Sequence, residues 1–283
     1  MKEYLIYENH LGEKIDFKNN KYLYVSENDM RDFAWNYSGD NDTISGFNRR
    51  GVVTKALPVT VAAPVSVADS IKNNLFEITQ KDVLAHQNGN KDAAGKIWCG
   101  GYYLKCFVVG SSKSTYLSTK RITQFALNIA TDEPVWIKKV TQDVIPIERS
   151  GGIDFPFEFP IDMANSFTQS KINNNYFQPV NFRIEINAVD DEINSPAVII
   201  GDNIYHVDVT IQQGHKLVID SFTGDVYLEN EYGERTTVYH YRDRGYNIFA
   251  KIGSGEQPIS WVNELSFPFK LTLYYERSEP EWS

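Results

Sequence analysis

The chain has 283 residues, 42% apolar and 23% charged, which excludes wholesale disorder and suffices for one large domain or two ordinary ones. A net charge of −9 argues against a protein built to grip phosphates, and no apolar run approaches the ~20 residues of a membrane span. Neither a specific nucleic-acid sequence nor membrane insertion is therefore expected.

Aromatic residues make up 13% of the chain, led by 17 Tyr and 16 Phe, and favour a sheet-rich fold. The start, Met1 to Glu8, lacks the apolar stretch of a signal peptide, so no targeting signal is expected. Strands are predicted at Tyr4–Tyr7, Tyr22–Val25 and Val52–Val61, with turns at Asn9–Gly12, Asn19-Asn20 and Ser38–Asp42. One helix follows. Pro64 precedes it, Ser66 and Asp69 form a capping box, Ile71, Leu75 and Ile78 share a face, and Asn88-Gly89 ends it. Further strands are predicted at Ile97–Val109, Arg121–Ala130 and Val135–Val140. In the second of these, Thr123, Phe125, Leu127 and Ile129 alternate with Ile122, Gln124, Ala126 and Asn128, which predicts one buried face. Cys99 and Cys106 fall on the first. Their odd spacing puts them on opposite faces and about 23 Å apart, against the ~5–6 Å a disulfide needs. Both are read as free thiols of a protein made in a reducing cytoplasm.

Pro146, Gly151-Gly152, Pro156, Pro160 and Pro179 then punctuate the chain, and Phe155–Pro160 reads as an extended segment. Charge changes across this break. Residues 1–148 carry 18 Lys+Arg against 17 Asp+Glu, whereas 149–283 carry 10 against 20. Two domains are expected, 1–148 and 149–283. The second is nearly all strand: Phe182–Asn187, Ala197–Ile200, Ile204–Ile211, Lys216–Ile219, Asp225–Glu229, Thr237–Tyr241, Tyr246–Lys251 and Lys270–Tyr275. Turns are predicted at Gly201-Asp202, Gln213-Gly214, Thr223-Gly224, Tyr232-Gly233 and Gly253–Gly255. Short strands at roughly ten-residue spacing point to an antiparallel sandwich or jelly roll.

The chain has no phosphate loop, dinucleotide fingerprint, His-Glu-x-x-His motif, nucleophile elbow or Cys-x-x-Cys pair. None of His10, His86, His206, His215 and His240 is spaced for joint metal ligation, although a hairpin could bring His206 and His215 together. Asp190-Asp191-Glu192 with Asn194, and Asp40-Asn41-Asp42, could gather a hard cation but are read as solvated acidic turns. Tyr239, Tyr241, Tyr246 and Trp261 could stack on sugars, or pack across strands. No catalytic, cofactor-binding or metal-binding residue is assigned, and no cofactor is expected. A hydrolase built on Asp190–Glu192 with His206 or His215 is the weakest of the readings.

Several segments together resemble the distal tail protein family of long-tailed phages of Gram-positive bacteria. Glu8–Phe17 is similar to that family's opening hairpin. Asp32–Tyr37 with Ile44–Arg49 resembles the stretch before its first-domain strands, and Ala130–Trp136 the end of its ring domain. Gly214–Asp220 with Gly224–Val226, Arg244–Ile248 and Leu273–Arg277 resemble parts of its second domain. The resemblance implies a mainly β protein: an N-terminal split-barrel-like β domain with one helix, and a C-terminal galectin-like antiparallel β-sandwich. It also implies a non-enzymatic virion protein at the tail tip, assembled in the host cytoplasm. There a hexameric ring of copies would join the tail tube protein to the tail-associated hub protein and adhesion device, with DNA passing through its channel. The tape measure protein and receptor-binding proteins are further candidate partners. The helix near Ile71–Leu84 and the hairpin Val109–Tyr116 are read either as ring contacts or as caps on the first domain's own core. The alternative is a carbohydrate-binding β-sandwich module for attachment to host-surface glycans.

Overall fold

The computed structural model describes residues 5–17, 19–40, 42–49, 51–115, 122–146, 170–262 and 266–282. The extended segment read at Phe155–Pro160 lies outside them. The described chain is mainly β, with one α-helix, and divides into two compact units. One comprises Met1–Lys138 with Glu276–Ser283, the other Lys139–Tyr275.

The first unit contains β1 (Leu5–Glu8), β2 (Lys14–Asp16), β3 (Leu23–Val25), β4 (Trp35–Asp40), β5 (Thr43–Arg49), β6 (Val53–Ala62), α1 (Val65–Gln87), β7 (Gly95–Cys99), β8 (Tyr102–Thr115) and β9 (Ile122–Thr131). It also holds the start of β10 (Trp136–Val144). All its pairings are antiparallel. The order β2-β1-β7-β8-β10 makes one sheet, and β3-β6-β9-β8 leads into it through β8. Residues 102–106 of β8 pair with β7, and residues 107–115 pair with β9, with register shifts at Val108/Gly110 and Lys113/Thr115. A strand that serves two sheets must bend, and bulges supply the bend.

The β9 alternation is present: Thr123, Phe125, Leu127 and Ile129 are buried. The segment read as one strand over Ile97–Val109 is instead the hairpin β7–β8. Gly100 and Gly101 turn it at φ of +56° and +82°, a conformation glycine adopts without steric cost. Cys99 therefore sits opposite Tyr102 and Cys106 opposite Gly95, so the two thiols share a buried face rather than lying on opposite ones. They remain free, and burial pushes the Cys106 thiol up.

Helix α1 starts at Val65 with Pro64 as its cap and no capping side chain, so the Ser66–Asp69 box does not form; Ser66 is already inside the helix. Leu75 and Ile78 are buried as expected, with Ile71 packed against the same core. Asp82 is also fully buried on that face. Its carboxylate accepts bonds from the Tyr7 hydroxyl and the His10 backbone N–H, the latter at 2.8 Å, and pairs with the His10 ring. These contacts fix the helix on β1, and burial together with the Asp82 bond pushes the Tyr7 phenol up.

The second unit contains the end of β10, then β11 (Ser170–Asn174), β12 (Asn181–Asn187), β13 (Ile193–Asn194), β14 (Ala197–Ile200), β15 (Asn203–His206), β16 (Thr210–Ile211), β17 (Lys216–Asp220), β18 (Asp225–Glu229), β19 (Arg235–Thr237), β20 (Gly255–Trp261) and most of β21 (Phe269–Arg277). The run β19-β18-β17-β12-β21 faces the four-stranded sheet β11-β20-β14-β15. Phe182, Ile184, Leu217 and Leu271 of the first meet Ile172, Val198, Tyr205 and Ile259 of the second in one core. This is an antiparallel sandwich. Three expected strands differ. Ile204–Ile211 is split into β15 and β16. Thr237–Tyr241 ends as a 3₁₀ turn at Tyr239–Tyr241, and Tyr246–Lys251 is irregular chain.

Two predictions follow from this packing. A Cβ at Gly95 would meet the Asp82 carboxylate and the Tyr7 hydroxyl, whereas one at Gly51 would meet nothing within 4 Å. Gly95→Ala should cost about 1–3 kcal/mol in urea unfolding, and Gly51→Ala less than about 0.5 kcal/mol. On β18, Lys216 Nζ at 2.6 Å and, more weakly, Arg235 Nε at 3.0 Å hold Glu229 below its ordinary value of 4.5. A carboxylate lowered by folding adds stability above its unfolded value, and that stability disappears as pH falls through the folded value. Glu229→Gln should therefore narrow its stability deficit against wild type as pH drops below about 4.5; a constant deficit would refute the linkage.

Candidate functional site

The residues considered for chemistry have separate partners. His206 Nε2 lies 2.9 Å from Ser195 Oγ, which also donates to Asp208 at 2.9 Å, while His206 Nδ1 is 3.7 Å from Asp243. His215 serves a backbone turn: its N–H donates to Gln212 and its carbonyl accepts from Ala188. The hairpin approach considered for His206 and His215 gives them no shared ligand set. Glu192 accepts from Asn194, and the Asp40 carbonyl accepts from Thr43, while Asn41 lies outside the described residues. Among the described residues no three His, Cys, Asp or Glu side chains gather at metal-binding geometry.

Of the aromatic candidates, Tyr239 and Trp261 are committed, whereas Tyr241 and Tyr246 are exposed. Tyr239 stacks on Phe249, with centroids 5.7 Å apart and planes 6° apart, and the Arg242 guanidinium lies 3.9 Å from its ring centroid. Tyr241 sits on the same 3₁₀ turn rather than on a strand face, and Trp261 is buried with its ring N–H donated to the Phe267 carbonyl.

The feature left open is a surface. Strands β4 and β5 form a two-stranded sheet that pairs with no other described strand. Register places Tyr37 opposite Phe47 and Gly39 opposite Ile44, with a bulge between Ser38 and Gly39. Trp35, Tyr37, Ile44 and Phe47 therefore share one face, and Asn36, Ser38, Asp40, Thr43 and Asn48 the other. Tyr37 is 71% exposed, Phe47 62% and Ile44 58%. The Ser45 hydroxyl bonds Ser38 on the polar side. The base of the hairpin is anchored. Lys55 on β6 is buried, and its ammonium donates to the Asp29 carbonyl at 2.8 Å and to the Asp32 carbonyl, while the Asp29 carboxylate accepts the Ala56 N–H. Desolvation lowers the Lys55 pKa against the pull of Asp29 and Asp32. Beside this anchor Phe33, Trp35 and Trp136 line a cleft of about 180 Å³.

At the far end of β6, Ala62 pairs with Ile122, whose side chain lies on the face of β9 away from the core, and Val65 and Val67 open the helix; each of the three is exposed. The expected contact helix spends Leu75 and Ile78 on its own core, whereas Leu84 points outward. In the hairpin β8–β9, Val109 is exposed and Lys113 covers the Phe76 ring at 5.4 Å; Tyr116 lies outside the described residues. Sequence reasoning placed only a turn at Ser38–Asp42. Alternation of Trp35 with Tyr37 was the available signal for the strands beside it.

No protein-family model and no curated protein matches the chain. Solved structures do. The SPP1 Dit (gp 19.1) protein, described as a paradigm of the hub adsorption apparatus in Gram-positive infecting phages, aligns with a TM-score of 0.58 and 8% identity over 96% of this chain and 99% of its own. A chain of the phage P2 baseplate in its activated conformation with Ca aligns with a TM-score of 0.60 and 10% identity over 99% of this chain and 100% of its own. The corresponding Sr structure gives 0.60 and 9% over the same shares. Over nearly its whole length this chain thus shares the fold of the SPP1 Dit protein and of a chain of the P2 baseplate.

Proposed function

We propose that this protein is a structural connector of a phage tail tip, a distal tail protein that works by assembly rather than by bond-making. Six copies form a ring between the tail tube protein and the tail-associated hub protein, and DNA passes through the central channel. The tape measure protein and receptor-binding proteins are its further neighbours, and the assembled protein resides in the virion. The observation that carries this reading is the extent of the fold likeness. It spans 96–99% of this chain and 99–100% of the matched chains. An exposed amphipathic hairpin on a near-neutral first half fits a part that packs against its own kind. The glycan-binding alternative needs an open aromatic platform; Tyr239 is stacked on Phe249 and Trp261 is buried, which leaves it Tyr241 and Tyr246.

Negative-stain microscopy and light scattering of the purified full-length protein test the proposal. The expected particle is a six-fold ring with a central hole and a mass near six times 32.4 kDa. Lone 32.4 kDa subunits at every concentration would overturn it.

A further inference from the structure

We propose that Tyr241, Ser195, His206, Asp208 and Asp243 of the second unit form a binding site for an uncharged saccharide, one sugar ring lying on Tyr241 with its hydroxyls donated to the two carboxylates. The site is an addition to the connector reading and does not depend on it.

Three separate stretches of chain meet there. Val207 and Arg242 form an isolated antiparallel bridge. It is flanked by bonds from the Asp208 N–H to the Tyr241 carbonyl at 2.8 Å and from the Asp243 N–H to the His206 carbonyl at 3.2 Å. This register sets Asp208 opposite Tyr241 and His206 opposite Asp243, and alternation puts these positions on the face away from buried Val207. Opposed positions in such a bridge lie about 5 Å apart, and successive ones on one face about 7 Å, so the four outline an area the size of one sugar ring. Ser195, from the third stretch, joins them. Its hydroxyl donates to Asp208 at 2.9 Å and lies 2.9 Å from His206 Nε2. The backbone of Ser195 is held at φ +49°, a left-handed conformation that is costly for any residue but glycine.

The bonds within the site leave acceptors open. Ser195 gives its one proton to Asp208, so His206 Nε2–H is the donor to Ser195. Among the described residues nothing donates to Asp208 Oδ2. Asp243 uses one oxygen for the Gly245 N–H at 2.7 Å, and its other stays 3.7 Å from His206 Nδ1. Two anchored carboxylates thus present one open oxygen each beside a tyrosine that is 53% exposed.

Other ligands fit less well. Among the described residues no three side chains converge at metal-binding geometry. An anion would meet two carboxylates in a half of the chain with 10 basic against 20 acidic residues, and the Arg242 guanidinium is spent over Tyr239. A protein partner needs an apolar anchor, whereas the neighbours of Tyr241 in this site are polar. A sugar brings what the site lacks: an apolar C–H face for the ring and hydroxyl donors for the carboxylates. Because the acceptors are already fixed, binding has little left to order.

The full-length protein tests this. Titration with uncharged oligomers of glucose, galactose, rhamnose and N-acetylglucosamine, followed by calorimetry, should give one site per chain for at least one of them, with a Kd of about 0.1–1 mM. Tyr241→Ala and Asp208→Asn should each weaken binding about tenfold or more while leaving the melting temperature unchanged, and Tyr37→Ala on the first unit should leave binding as in wild type. Binding of none of the four up to about 10 mM, binding that survives both substitutions in the site, or binding seen only with a sulfated polysaccharide such as heparin would overturn the proposal. None of these outcomes touches the connector reading, which ring formation decides separately.

Discussion

Strand β8 must satisfy two sheets at once, and the first unit depends on it. Tyr103 and Leu104 pair with Trp98 and Ile97 on one side and with Ile137 and Trp136 on the other. Three residues after Leu104 the same strand is bonded to β9 instead. A regular strand cannot change neighbours in this way without bending, and the shift at Val108/Gly110 supplies the bend. Gly110 is apt there, since a Cβ would approach the Asn128 amide at 3.2 Å. Tyr102, Leu104 and Cys106 then face inward together and form the floor on which the helix lies.

Placing a carboxylate under that helix is costly unless several donors compensate, because desolvation outweighs a single charge contact. Asp82 has the Tyr7 hydroxyl, the His10 N–H and the His10 ring. The arrangement reaches across sequence: the hydroxyl lies 75 residues from the carboxylate, and Gly95 on β7 leaves the space both need. One polar knot thus sets where α1 sits on β1 and β7, which apolar contacts alone would leave freer to slide.

Much of this fold was legible because the relevant signals are local. Period-two burial on β9 and β12, and the apolar stripe of α1, follow from side chains a few residues apart. What escaped depended on distant or backbone facts. Asp82 reads as a solvated charge until Tyr7 arrives. The Ser66–Asp69 pattern imitates a cap, yet Pro64 already holds the backbone at φ −54° and starts the helix two residues earlier than a Ser66 cap would allow. Gly100-Gly101 was absorbed into a long apolar run, although two left-handed glycines turn the chain there. Tyr239 and Tyr241 have strand propensity, but stacking of Tyr239 on Phe249 curls that stretch into a turn. In β5 the bulge at Ser45 breaks the alternation, so Ile44 and Phe47 do not read as one face.

That bulge bears on how the hairpin can be covered. A flat two-stranded ribbon offers two open backbone edges, and edge-to-edge pairing would stack copies without limit. A bulge increases local twist and interrupts the ladder, which disfavours such extension. The opposite face is hydrated by Asn36, Ser38, Asp40, Thr43 and Asn48, so it does not bury readily either. Of the surfaces the hairpin presents, only the Tyr37–Ile44–Phe47 face gains from contact.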